Sequence, residues 1–148
     1  MAALNLKFKY LDHTSEAKFQ AYGKTMEEAF GNAVLAMFAM LTDISKVNQK
    51  ITTKIEKKST KLDTLLFDFL DEFIILLDVE GLIVSKIEKI TIVQKMIQEK
   101  EVYTLTAIVK GDSYKKYEVH GDIKAVTYND MMIQEENGNW TVQVVVDI

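Results

Sequence analysis

Hydrophobic positions recur along the chain with a period of two in some stretches and 3.6 in others, and the changes of period mark its elements. Leu6, Phe8 and Tyr10 share one alternating face, which predicts a strand over 4–10, and a second strand is predicted over 17–22. Between them lies Asp12-His13-Thr14-Ser15, a polar turn, and Gly23 ends the second strand. Thr25 followed by Glu28 has capping-box spacing. Met26, Ala29, Phe30, Ala33, Val34, Met37, Met40 and Leu41 then follow at helical spacing, which predicts a helix over 25–42. Leu35 and Phe38 fall off that stripe, so the second half of the helix is expected to be covered on more than one side.

Ile51, Thr53 and Ile55 alternate with lysine and predict a strand over 50–57. Thr60 and Asp63 begin a second helix. Its stripe is Leu62, Leu65, Leu66, Phe69, Leu70, Phe73, Ile74 and Leu77, ending near 78–81. After Gly81 the period returns to two, with strands predicted over 82–95, 101–110, 114–119, 122–128, 131–135 and 140–147. Lys110-Gly111-Asp112 and Asn137-Gly138 read as turns, the second as a two-residue hairpin. Helices set apart from a run of strands predict an α+β fold, with a largely antiparallel sheet and two main amphipathic helices. A length of 148 residues is that of a single domain, 1–148.

Composition narrows the chemistry. Cysteine is absent, which removes disulfides, thiol nucleophiles and cysteine-ligated zinc. No apolar run reaches the roughly 18 residues of a membrane span, and the first residues lack an apolar signal core, so the expectation is a cytoplasmic protein without a membrane partner. Residues 1–60 carry nine lysines against six acids and residues 61–148 nine against sixteen, for a net charge of -4. All eighteen basic residues are lysine, so no guanidinium can grip phosphate or stack on a base. Only Lys50, Lys54, Lys57, Lys58 and Lys61 form a contiguous basic group, which weighs against direct RNA binding.

Self-sufficient catalytic motifs are missing. His13 and His120 lack metal spacing, and no Walker, dinucleotide, nucleophile-elbow or HExxH pattern occurs. Gly23-Lys24-Thr25 echoes the end of a Walker motif, but residue 18 is lysine where a glycine is needed. Two acidic features remain. Asp68 and Glu72 lie one turn apart with like charge, which costs an isolated helix a few tenths of a kcal/mol. They form either a solvated face or a site offset by a lysine such as Lys124, or by a cation. The chain closes on Val144-Val145-Val146-Asp147-Ile148, an apolar strand ending in two groups rich in carboxylate oxygen. Fraying is the ordinary expectation for such an end. If the loop carrying Asp12 lay against it, the carboxylates would need a proton or a hard divalent cation, calcium, magnesium or manganese, to stay together.

Tyr10-Leu11-Asp12-His13-Thr14, Ala21 to Phe30 and Asn32-Ala33 resemble the opening of the archease family. Leu65 to Phe73 is similar to that family's second-helix motif, Ile123 to Tyr128 to its late strand motif, and the Asp147-Ile148 ending matches as well. The resemblance implies an archease-like fold and a non-enzymatic activator of an RtcB-type tRNA-splicing ligase. Such an activator promotes guanylylation and multiple turnover and broadens nucleotide use. It implies a metal ion, calcium in the family, held at Asp12, Asp147 and Ile148, and roles in ligase activation for Lys124 and Glu72. RNA would then be met only through the ligase. Two positions depart from the family pattern: Asp122 stands where glutamate is common, and Asn129 where histidine is common. A stand-alone metal-dependent phosphoesterase and an RNA-binding or chaperone module are the competing readings. The off-stripe residues of the first helix leave room for a homo-oligomer.

Overall fold

The computed structural model describes residues 6–13 and 15–148. Residues 4 and 5 of the first predicted strand and Thr14 of the polar turn lie outside them. The elements run β1 (Phe8–Leu11), β2 (Ala17–Gly23), α1 (Met26–Ala39), β3 (Ile51–Ser59), α2 (Leu62–Glu80), β4 (Leu82–Ile97), β5 (Lys100–Ser113), β6 (Ala125–Glu136) and β7 (Asn139–Asp147). They build two antiparallel sheets, ordered β1-β2-β7-β6 and β3-β5-β4. Both helices lie between the sheets: α1 packs on β2 and β7 and also on β4, and α2 packs on β6 and also on β3. A helix covered from two sides needs more than one apolar stripe. Accordingly α1 buries Leu35 and Phe38 together with its stripe, which takes away the self-association surface these two residues suggested.

Local signals set one end of each helix. The Thr25 hydroxyl accepts from the Glu28 N–H at 3.1 Å, while the Glu28 carboxylate accepts from the Lys24 N–H at 3.2 Å, one residue before the reciprocal partner of a standard box. Helix α2 starts after Lys61 with no side-chain cap, so Thr60 does not cap it, and it ends at left-handed Gly81. Between the helices, Phe73 of α2 meets Phe38 of α1 edge-on at 6.2 Å, and within α2 it meets Phe69 at 5.1 Å.

Three further expectations from the sequence give way. Gly111 is not in a turn: it pairs with Ile51 and Val84 inside β5, and a Cβ there would collide with the Ile83 carbonyl. Close approach of two backbones, not chain reversal, is what that glycine serves. Residues 114–119 are not a strand. Tyr114–Lys116 form a single 3-10 turn, organised around the buried Asp112 carboxylate, which accepts from the Tyr117 hydroxyl at 2.7 Å, the Ser113 N–H at 2.9 Å and Lys116 at 3.2 Å. The strands expected over 122–128 and 131–135 are one strand, β6, interrupted by a bulge between Thr127 and Met132. Asn137-Gly138 does form the β6–β7 hairpin, with φ of 54° and 81°. The β4–β5 hairpin turns at Gln98-Glu99, also at positive φ, where neither residue type advertises a turn. Among the described residues no helix is long and apolar enough to cross a membrane.

Candidate functional site

Strand β7 runs between β2 and β6, so its end is flanked by the starts of both neighbours. Ala17 pairs with Val146 and Ala125 with Asp147. One rung beyond Ala17, Glu16 comes opposite Asp147. On the other side the Lys124 N–H donates to the Asp147 carbonyl at 2.8 Å. Strand β7 is thus paired up to Val146 on one edge and Asp147 on the other, and only Ile148 lies beyond it. Leu11 pairs with Lys18, so Asp12 leaves β1 at this same end of the sheet. Two strand spacings, about 10 Å, separate the line of β1 from that of β7. Asp12 and Lys124 are exposed, Asp147 is partly buried and Ile148 is half exposed.

The Glu16 and Asp147 carboxyl groups face each other within reach of a hydrogen bond. That bond is the main cause raising Glu16 above the usual carboxylate range, and desolvation and the Asp147 charge add to it. Two carboxyl groups this close need a proton or a cation between them. Around the pair, His13 Nδ1 lies 3.6 Å from Glu16 and His13 Nε2 3.8 Å from Asp130, with Lys18 Nζ 3.3 Å from Asp130. Asp130 reaches this position from the β6 bulge, at φ 52°, with its carbonyl accepting from Gln143 at 2.8 Å. The bulge redirects the strand toward the site, a common use of such irregularities. Beside it, Tyr128 stacks on Phe67 of α2 at 4.3 Å, joining the bulge to the helix layer.

Of the residues singled out in the sequence, Asp12, Asp147, Ile148 and Lys124 share one end of the four-stranded sheet. Glu72 does not join them. It faces β3, where Lys57 donates to its carboxylate at 2.8 Å. Lys57 is therefore the lysine that offsets the like-charged Asp68–Glu72 spacing, where the sequence suggested Lys124. Glu16, His13 and Asp130 belong to the site and were not singled out as ligands. Nothing local marks them, because Glu16 faces Asp147 only after β2 has paired with β7 and Asp130 arrives through a bulge. The donors at this end are carboxyl and main-chain oxygens, a set suited to hard divalent cations. Among the described residues no three histidine or acidic side chains are close enough together to hold a metal ion. The Glu16–Asp147 pair is the nucleus to which Asp12 and main-chain oxygens of Ile148 could add.

Residues 8–148 match the sequence model of the Archease protein family (MTH1598/TM1083). A relative named Protein archease from Methanosarcina barkeri is 39% identical over 150 residues, covering all of both chains. The solution structure of Methanobacterium thermoautotrophicum protein 1598 superimposes with a TM-score of 0.75 at 32% identity, over 96% of this chain and 99% of that one. A crystal structure from Thermotoga maritima, described as an archease and possible chaperone, shares the fold with a TM-score of 0.53 at 18% identity, over 95% of this chain and 96% of that one.

Proposed function

The chain belongs to the archease family, and from that premise we propose that it is a non-enzymatic activator of an RtcB-type tRNA-splicing RNA ligase in the cytoplasm. It promotes guanylylation of the ligase, supports multiple turnover and broadens nucleotide use. The observation that carries this reading is the register that ends β7 on Asp147, between the starts of β2 and β6, with Glu16 facing it one rung beyond Ala17. It makes an acidic tip that calls for a cation, on a chain with no nucleotide-binding loop of its own.

The tip residues and Glu72, which lies away from the tip, divide the work. Asp12, Asp147 and the main-chain oxygens of Ile148 hold a divalent cation, calcium in the first instance and magnesium or manganese in its place, with Glu16 as a further oxygen donor. The bound ion neutralises the facing carboxylates and gives the tip a fixed shape. Lys124, exposed beside Asp147, and Glu72, held by Lys57, make the activating contacts with the ligase. By binding the guanylylation-competent state of the ligase more tightly than the other, the protein shifts that equilibrium without entering the reaction.

Single-turnover guanylylation of the cognate ligase tests the reading. Asp12→Ala and Asp147→Ala are expected to lose stimulation by at least about tenfold, equivalent to about 1.4 kcal/mol of differential binding. Unchanged stimulation by variants shown to be folded removes the tip from the mechanism. Hydrolysis of phosphoesters by the protein alone, in the presence of manganese or magnesium, would overturn the non-enzymatic assignment.

A further inference from the structure

The outer face of the three-stranded sheet carries a charge opposite in sign to the rest of the molecule. Register places Lys54, Ile108 and Lys89 on one rung, Glu56, Thr106 and Thr91 on another, and Lys58, Thr104 and Val93 on a third. The rung of opposite parity, Ile55, Ala107 and Ile90, belongs to the core that packs on the helices. The outward set continues with Lys95, Lys100, Lys86 and Lys110. Glu88 turns to the same side from a bulge, 3.4 Å from Lys86 and 3.7 Å from Lys110. Seven lysines against two glutamates give this face +5 on a chain of -4, so the remainder carries -9. These lysines are scattered from position 54 to position 110 in the sequence and only strand pairing gathers them.

Lysine on an edge strand commonly serves to block edge-to-edge association. That accounts for the lysines of β3 and β4, but not for Lys100 and Lys110, which lie on the central strand β5. Lys86 and Lys110 are direct cross-strand partners whose repulsion Glu88 relieves by pairing with both. Lys54, Lys58, Lys89, Lys95 and Lys100 make no ion pair among the described residues. The ligand chemistry that suits the face is therefore a polyanion.

We propose that this face binds the phosphate backbone of a double-helical RNA stem. The face carries no aromatic side chain, so it has nothing on which unpaired bases could stack and none of the aromatic anchors of a membrane surface. Thr91, Thr104 and Thr106 lie between the lysines and offer hydroxyl donors, the mixture that contacts phosphate oxygens. Lys54 and Lys89 are two strand spacings apart, about 10 Å, and Lys89 and Lys95 about 20 Å apart along β4. That spread reaches several phosphates at once. The acidic tip belongs to the other sheet, beyond the helix layer, and stays available to a protein partner. That the polyanion is RNA rests on the ligase-activator reading; that it is a phosphate backbone rests on the face alone.

Binding of a fluorescently labelled RNA hairpin to the isolated protein, followed by anisotropy between about 50 and 200 mM salt, tests the proposal. With about five contacting lysines, the logarithm of the association constant is expected to fall with that of salt at a slope of about -4 to -5. Lys54→Gln/Lys58→Gln/Lys89→Gln/Lys95→Gln should weaken binding at low salt by at least about tenfold and flatten the slope by about 3 to 4. A control with equal charge removed elsewhere, Lys9→Gln/Lys24→Gln/Lys46→Gln/Lys115→Gln, should bind as wild type. Lys54→Gln/Lys89→Gln should give an intermediate loss, and it decides the matter if the fourfold variant fails to fold. Absence of binding at about 50 mM salt, equal loss in the two fourfold variants, or preference for phosphatidylserine vesicles over the hairpin would each overturn the proposal. Asp147→Ala should bind RNA normally, so a failed tip and a failed lysine face give different results.

Discussion

Truncating Phe73 to alanine removes the ring that joins the two helices inside the layer they share. Phe73 is fully buried and meets Phe38 of α1 at 6.2 Å and 90°, and Phe69 one turn earlier on α2 at 5.1 Å and 80°. Buried phenylalanine to alanine changes cost about 3–5 kcal/mol, the transfer free energy plus a cavity term. Two edge-on partners, each worth about 0.5–1.5 kcal/mol beyond area, place this one in the upper half, at about 4–5 kcal/mol. Sheets on both sides of the helices leave little freedom for the cavity to collapse. Urea unfolding should therefore show a lower midpoint with an unchanged slope. At about 2–4 °C per kcal/mol for a chain of this size, Tm should fall by roughly 10–15 °C. Phe73→Leu keeps most of the volume and loses the ring contacts, so it should cost about 1–2 kcal/mol. A double-mutant cycle with Phe38→Ala should return a coupling of about 0.5–1.5 kcal/mol. A loss below about 2 kcal/mol for alanine, against the range for buried rings, together with no coupling to Phe38, would refute the account of the helix layer as a shared core.

Gly111→Ala should destabilise by about 3 kcal/mol, the upper end for overpacking, because the obstacle is the Ile83 main chain and not a movable side chain; thermal unfolding checks it, and a neutral result would contradict the close approach of β4 to β5. Glu16 holds its proton to higher pH in the folded state than in the unfolded chain, so stability falls as pH rises from the usual carboxylate range through its raised value, and the loss persists above it. In Asp147→Asn the NMR titration of Glu16 should move down toward the usual range, and calcium should raise Tm in the wild type but not in this variant. Asp112 behaves in the opposite sense: hydrogen bonds, first from Tyr117, hold it below the usual range, so its contribution is present above the unfolded value and lost as pH falls through the folded one. Tyr117→Phe should move acid unfolding, followed by circular dichroism, to higher pH; an unmoved midpoint would remove Tyr117 from that role.

What the sequence determined by itself is whatever depends on residues a few positions apart. The stripes of α1 and α2, the Thr25 cap and the Asn137-Gly138 hairpin were all legible, because helical and strand periods and turn chemistry act over short spans. The motifs placing the chain among archeases were legible too. Local signals misled at Gly111, where the glycine that suggests a turn instead makes room for the backbone of the paired strand β4. They misled again over 114–119, where a buried Asp112 draws an alternating segment into a 3-10 turn. The off-stripe Leu35 and Phe38 announced a second cover over α1, but tertiary structure alone decided that there are two sheets, with the helices between them, and that the second cover is the other sheet. It alone brought Glu16 against Asp147, gave Glu72 its partner in Lys57 and collected seven separated lysines on one face. The reason is physical: pairing β2 with β7, or β3 with β5, is a choice of register between distant segments. That choice is set by how all the apolar faces can be buried at once, and no short stretch of the chain contains it.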